Sequence, residues 1–480
     1  MRRTAEVDDV EVGGRARYAE DSTPGFGAFL AIRTQCEDGS GEHMSSEERD
    51  PGIRRTLWRF APMIYGPTIL FSLGEGALLP LLPVLTERAG GDLAQAAAIA
   101  SIIVVAQLVG NVPAGWAVSR IGERWTMAIA ATIALIGCVG VALAPHLGVL
   151  AISVFGIGLC ASAFGLARHA FMTSRVPMHY RARALSLLGG SFRFGMFLGP
   201  FAAAALLALT GDPTTTAWFF AACLVALIVL VTLGRDPEEQ LRAEGITPRQ
   251  SRGALSAAAV RDDILDDSGE ATTGAIPLPQ RVGVFRTAWR NRAVLSRLGV
   301  TAAMMSAVRQ ARIYVLPLWA VSLGLGPESI TLIVGIAGGL EFLLFYASGQ
   351  IMDRWGRLLV TLPPMLIMGG AFFALAFTHD LPDAVPAFVI AAVVIGIGNG
   401  LSSGSLMTLG ADAAPPDDPA PFLGAWRTLT DAGGASAPLL VTAVTAVSTL
   451  SVAVGLIGVI GLIGALGFAR YVPRFSPRPR

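Results

Sequence analysis

Lysine is absent: all 36 basic residues of the 480-residue chain are arginine, in a sequence crowded with alanine and glycine. We read that as coding bias. Charge of either sign is scarce, at 15% of positions, against about 25% in soluble domains. With 36 basic and 35 acidic residues the formal net charge is +1, which gives no basis for nucleic acid or another polyanion as a general partner. Cysteine is limited to Cys36, Cys138, Cys160 and Cys223. None has metal-ligand spacing, and three sit in apolar runs where a thiol behaves as a small hydrophobe, so no metal site is expected. A phosphate loop and a persuasive nucleophile elbow are also missing, so neither an enzyme nor an organic cofactor is expected. No Asn-x-Ser/Thr acceptor follows Asn111, Asn291 or Asn399, which fits a bacterial plasma membrane.

What the chain has instead is apolar sequence, at 53% of positions. From Leu57 onward it falls into runs near 20 residues or longer, the length a helix needs to cross about 30 Å of hydrocarbon. The runs cover 57–86, 94–117, 125–144, 149–173, 184–209 and 215–233, then 294–323, 329–351, 358–378, 385–411, 421–446 and 449–469. Backbone groups in lipid must be satisfied within a segment, and the runs are too long for barrel strands, so helices are required. The expected fold class is an all-α membrane protein of twelve transmembrane helices in two pseudo-symmetric six-helix bundles. Residues 51–233 make the first bundle and 294–469 the second. The polar residues 1–50 are expected to be disordered, with Met44 an alternative start; 234–293, mixed in charge and poor in aromatics, to be a linker; and 470–480 to be a tail. The stretch 285–297 reads either as an amphipathic surface helix or as a solvated approach to the seventh span.

Basic residues in short loops are retained in the cytoplasm. Arg54, Arg55, Arg120, Arg124, Arg175, Arg181, Arg183, Arg354, Arg357, Arg470, Arg474, Arg478 and Arg480 fall in one set of loops, and the other set offers Arg88. Both termini and the linker are therefore expected on the cytoplasmic side of a multi-pass inner-membrane protein. The loop Asp412–Pro421 belongs to the same set yet carries no arginine.

The halves repeat. A shift of 234 places Pro83 on Pro317, Gly115 on Gly349, Arg120 on Arg354 and Gly122 on Gly356. A shift of 240 superposes Gly156 and Gly158 on Gly396 and Gly398, and one of 238 puts Gly195 on Gly433 and Pro200 on Pro438. Parallel repeats with a site at their interface near the bilayer midplane are a recognised transporter plan.

After the eighth span, Gly349, Asp353, Arg354, Gly356 and Arg357 form a charged turn bracketed by glycines, and this loop resembles the signature loop of the major facilitator superfamily. The first-half counterpart holds Gly115, Arg120, Gly122 and Arg124, with Ser119 where that family carries an aspartate and Glu123 nearby. The resemblance implies a gate that holds the outward-facing state. A purely topological basic turn is the competing reading. Gly189, Gly190, Arg193, Gly195, Gly199 and Pro200 resemble part of the fifth-helix motif of the superfamily's exporters, without its trailing glycines; close packing alone also explains them. The eleventh span repeats the pattern with Arg427, Asp431, Gly433 and Pro438, the two charges four apart on one helix face. The resemblance extends from Leu57 to Ala469.

Ionisable groups inside lipid are costly and are functional candidates by default. Glu75, in the first span, looks like the acid that drug:proton antiporters of the superfamily often carry there. Under the 234 shift it faces Arg309, with Arg312 three residues on, so a Glu75–Arg309 pair is expected; a static buried pair is the alternative. Glu341, the counterpart of Gln107, is the second proton candidate. Arg193 and Asp431, related by the repeat, read as gate elements, and Arg168, His169 and Asn399 as weaker candidates able to snorkel. Arg309, Arg312, Gln107, Tyr314 and Asn399 are the expected substrate-facing residues, with Trp319 and Phe342 either lining the cavity or packing.

The first functional reading is proton-coupled export of a small, largely hydrophobic compound, as the antiporter resemblance implies. The alternative is proton-driven uptake of an anionic metabolite, on the strength of Arg309, Arg312 and Arg193, read as facing a central cavity. A transporter-like receptor using the linker is a third. The expected partners are a small molecule, protons and the bilayer, with the proton gradient as energy source and a monomer as the working unit.

Overall fold

Lipid offers nothing to a backbone N–H or C=O, so apolar runs of this length close their hydrogen bonds within themselves. The computed structural model describes residues 65–175, 178–234, 289–415 and 419–475, and these are helices joined by short turns. The expected N-terminal segment with its Met44 start, the linker from 235 to 288 and the tail beyond 475 lie outside the described residues.

In chain order the helices are α1 (Gly66–Arg88, with a tight turn at Leu79–Leu81), α2 (93–121), α3 (123–142), α4 (Leu147–Arg175), α5 (Met178–Thr210) and α6 (Thr214–Leu233). The second set is α7 (Val300–Ser322), α8 (Pro327–Trp355), α9 (Leu362–Leu375), α10 (Ala384–Ala413), α11 (Pro419–Val447) and α12 (Leu450–Phe475). Short turns at 292–294 and Leu295–Gly299 lead into α7. Of the stretch 285–297, only 289–297 is described. Eight described stretches are long and apolar enough to cross a membrane, and one of them, 93–142, is two helices broken at Gly122. Among the rest, α9 is short and α7 and α11 carry the charged residues.

Local sequence sets the ends. Asp92 caps α2 by accepting from the Gln95 N–H at 2.7 Å, while the Gln95 side chain accepts from the Asp92 N–H at 2.9 Å. Gly122 and Gly356, the glycines matched by the 234 shift, reverse the chain at φ 80° and 86°, a region that side chains avoid.

Packing confirms two related bundles. In the first, α1 lies against α5 and α6; in the second, α7 lies against α11 and α12. A Cβ on Gly195 would sit 2.8 Å from the Ile69 carbonyl oxygen, and one on Gly433 would sit 2.2 Å from that of Ala303. Since 303 − 69 = 234 and 433 − 195 = 238, the same contact is built twice. The register expected for Gly156 and Gly158 is corrected here. Gly158 abuts Ile103 and Gly396 abuts Ala337, so Gly158 matches Gly396 at a shift of 238, in line with Gly195. Two residues fewer separate the packed turns than the glycine identities implied.

The halves meet where α5 touches α8 and α2 touches α11. Gly335 and Gly339 of α8 leave room for Pro200, Phe201 and Phe197 of α5. The Ser101 hydroxyl of α2 reaches the Pro438 carbonyl oxygen of α11 at 2.9 Å and lies beside the Thr442 hydroxyl. Ala96 and Ala97 join the second half's apolar core beside Val315–Val321, on the side away from the Gly122 and Gly356 turns.

On that same side, Arg88 pairs with Asp212 in the α5–α6 turn. Asp212 accepts from the Thr214 hydroxyl at 2.7 Å and the Thr214 N–H at 3.1 Å, and these bonds with Arg88 hold its carboxyl below the usual carboxylate range. A depressed carboxylate adds stability above its unfolded value, about 3.9, and loses it as pH falls through the folded value. Hydrogen exchange in residues 207–216 should accelerate below pH ~4, and Asp212→Asn should reproduce that faster exchange at neutral pH.

Candidate functional site

Four helices, three of them bearing charge, bring polar side chains to one place, each from near its midpoint. Arg309 and Arg312 come from α7, Glu341 from α8, Arg193 from α5 and Asn399 from α10. The Arg312 guanidinium donates to the Glu341 carboxylate at 2.6 Å, and Arg193 approaches the other carboxylate oxygen at 3.4 Å across the boundary between halves. Arg309 donates to the Asn399 side-chain oxygen at 2.8 Å and lies 3.4 Å from the Ser402 carbonyl oxygen. Arg193 also reaches the Ser403 hydroxyl at 3.2 Å. The glycine at 400 fixes this arrangement, because a Cβ there would fall 3.0 Å from the Glu341 Cα.

Three guanidiniums therefore surround one carboxylate, leaving two positive charges in excess. Arg312 keeps its Nε buried without a hydrogen-bond partner. Aromatic rings border the cluster: Arg193 lies over Phe345, 4.5 Å from the ring centroid, and Phe197 and Phe342 stack across the halves at 5.7 Å and 4°. Phe194 tilts against Phe342 at 6.0 Å. The site thus combines an unpartnered buried donor on Arg312 with a ring face against Arg193.

Arg309, Arg312, Asn399 and Glu341 were legible in the sequence and do come together. Arg193 joins them, as the uptake reading expects and the gate reading does not, because α5 crosses α8 at that level. The expected Glu75–Arg309 pair is corrected. Positions equivalent by repeat lie in different bundles, and Arg309 takes its partners within its own. Glu75 is 8% exposed and lines a small apolar cavity with Leu78, Leu82, Ile103, Ile157 and Phe220. The cation within electrostatic reach of it is Arg168 of α4, and Tyr314 of α7 also senses it.

Tyr314 is buried between Ala100 and Val104 of α2 and accepts from the Gln310 amide at 3.5 Å. Gln107 is half-buried on α2. Trp319 is fully buried in the second half's core, edge-on to His379, so it packs rather than lining a cavity. Sequence reasoning missed Phe345, Ser403 and the role of Arg168; a charge two turns inside an apolar run was the available signal for the last.

In the charged turns, Arg124 donates to the carbonyl oxygens of Val231, Thr232 and Gly234 at the end of α6, at 2.6–2.9 Å. Arg357 pairs with Asp412 of α10 at 2.7 Å, so the acid of the arginine-free loop meets the second turn. Arg120 is exposed, Arg354 lies over Trp355, and the side chain of Asp353 is outside those described, as is that of His169. Gly115 and Gly349 sit in α2 and α8. Arg427 and Asp431 pair along α11 at 3.6 Å on an exposed face.

Two curated transporters of Pseudomonas putida are similar: a gallate transporter, 30% identical over 129 residues, and the 4-hydroxybenzoate transporter PcaK, 31% identical over 159. These stretches are 27% and 32% of this chain and span only 29% and 34% of those proteins. The partially occluded, inward-open xylose transporter XylE from E. coli shares the fold, with a TM-score of 0.59 at 16% identity over 87% of this chain and all of that one. The family model described as Major Facilitator Superfamily matches residues 67–438, through every helix from α1 to the middle of α11. With two related six-helix bundles and a buried charge site between them, the chain belongs to the major facilitator superfamily and is a membrane transporter, not an enzyme.

Proposed function

We propose that the protein takes up a small aromatic carboxylate together with protons, exposing the Arg193–Arg309–Arg312 site alternately to the two sides of the membrane. The observation that carries this is the excess of two guanidiniums over the Glu341 carboxylate at mid-helix depth. Unpaired charge there is costly, and a bound anion offsets it. Glu341 occupies two of the arginines when ionised; once protonated, it frees them for the substrate carboxylate. The Phe194, Phe197, Phe342 and Phe345 faces suit a ring, and both similar transporters are named for ring-bearing acids.

Export of a hydrophobic compound, the first reading from sequence, has less support. Its fifth-helix motif is accounted for by the approach of α5 to α1, and a hydrophobic cargo has no use for three arginines. Glu75 serves as a second proton carrier on this reading. One monovalent anion moving with two protons carries one positive charge inward, so a negative interior drives it.

The test is uptake of radiolabelled 4-hydroxybenzoate into proteoliposomes with acid outside and a negative interior, with lactate as the aliphatic control. Accumulation of the ring acid, and loss of its voltage dependence in Glu75→Gln, are expected. Movement of a lipophilic cation against the gradient, with no benzoate uptake, overturns the proposal.

A further inference from the structure

Arg168 is a half-buried arginine without a bonded anion among the described residues. Its Nε and one terminal nitrogen are shielded from solvent and have no hydrogen-bond partner. The guanidinium instead lies between two rings, 4.9 Å from the Phe192 centroid and 5.9 Å from that of Phe164. A guanidinium gives up water for aromatic faces at a modest gain, and leaving its donors unmade offsets much of that gain. Such a position calls for a second place to go.

That place lies one aromatic layer away. Phe71 of α1 stacks on Phe164 of α4, with centroids 4.8 Å apart and 17° between planes, and Phe220 of α6 closes the layer edge-on to Phe71. Glu75 follows Phe71 by one helical turn, and Arg168 follows Phe164 by one turn. Side chains lean toward their helix N-terminus, and α1 and α4 run antiparallel, so the two charges lean toward each other around the stack. They sense one another electrostatically, yet no hydrogen bond or ion pair joins them. The other groups facing Glu75 carry no charge: Tyr314 from α7, and Ile103, Ile157 and Phe220 from α2, α4 and α6.

We propose that Arg168 is a two-position counter-ion for Glu75: it rests between Phe164 and Phe192 when the carboxyl is protonated, and swings to pair with the carboxylate when the proton leaves. The structure holds the resting position. The arginine thereby lets an acid buried in the first half give up its proton without leaving a bare charge in lipid. This rests on reading Glu75 as a proton carrier, and it makes Arg168 a positioning residue rather than a substrate ligand.

The two positions predict opposite shifts. Arg168→Gln removes the counter-ion, so ionisation of Glu75 is harder and its midpoint moves to higher pH. Phe192→Leu removes one face of the resting position, so pairing is easier and the midpoint moves to lower pH, by a few tenths of a unit to about one. The readout is the infrared band of the protonated carboxyl during pH titration of the purified protein in lipid, assigned by its disappearance in Glu75→Gln. No substrate is needed, so failure of benzoate uptake leaves this test intact. Opposite shifts in Arg168→Gln and Phe192→Leu are the expected result. Shifts of the same sign, an unmoved midpoint in Arg168→Gln, or no titrating Glu75 band in the unmodified protein each overturn it.

Discussion

Replacing Glu341 with glutamine should remove one of the two coupled protons and sharply reduce proton-driven accumulation while leaving exchange of substrate across the membrane intact. Glutamine resembles the protonated acid in shape, so Arg312 and Arg193 lose the carboxylate they hold at 2.6 and 3.4 Å and become free for the cargo. The site then loads but has no proton to release. Arg312→Gln should behave differently: a charge-assisted bond contributes about 1.5–3 kcal/mol, so apparent affinity should fall roughly 10- to 100-fold in both accumulation and exchange. Arg309→Gln should fall by a similar factor, because Arg309 is oriented by Asn399 rather than by the carboxylate. Counterflow of labelled 4-hydroxybenzoate in proteoliposomes separates the cases. An exchange rate in Glu341→Gln as low as in Arg312→Gln would show that the carboxylate builds the site instead of gating it.

The second large effect is structural. A Cβ on Gly199 would lie 2.6 Å from the Leu73 carbonyl oxygen and 2.7 Å from the Ala77 nitrogen, and backbone atoms cannot swing aside. Gly199→Val should push α1 off α5 and displace Glu75 with it. Overpacking of this kind costs about 1–3 kcal/mol or more, so the unfolding midpoint in detergent should drop by roughly 5 °C, with transport lost. Gly433→Val should do the same in the second bundle, where Ala303 is the obstacle. Gly189→Ala and Gly190→Ala are the controls, since nothing lies within 4 Å of either. Equal stability of Gly199→Val and Gly190→Ala would remove the close approach as the reason for glycine there.

Most of the architecture was legible because lipid imposes one rule on every span. The expected runs 149–173, 215–233 and 385–411 differ from α4, α6 and α10 by only a few residues at each end. Larger differences are at the starts of 184–209 and 294–323, since α5 begins at Met178 and α7 at Val300, while 358–378 exceeds α9 by four residues at one end and three at the other. The site was legible residue by residue but not pair by pair. Hydropathy marks Glu75, Arg309 and Glu341 as out of place in lipid, yet the repeat relates positions in different bundles and says nothing of which helices touch. Glu75 therefore was matched to its symmetry mate, while its neighbour in space came from α4. Arg193 was read both as a gate element and as facing the central cavity, and the crossing of α5 with α8 decides between the two.

Arg124 ties the α2–α3 turn to the end of α6, and Arg357 ties the α8–α9 turn to Asp412. Each bundle thus carries its own turn as a fixed fitting, fastened to a helix of the same half. A rocking motion need not remodel either turn, and the work of switching falls on the seams where α2 meets α11 and α5 meets α8. At the first seam the polar fastening is as small as a serine hydroxyl against a proline carbonyl, and at the second it is Arg193 against Glu341, so the two cassettes are joined by few polar ties and can part as whole pieces.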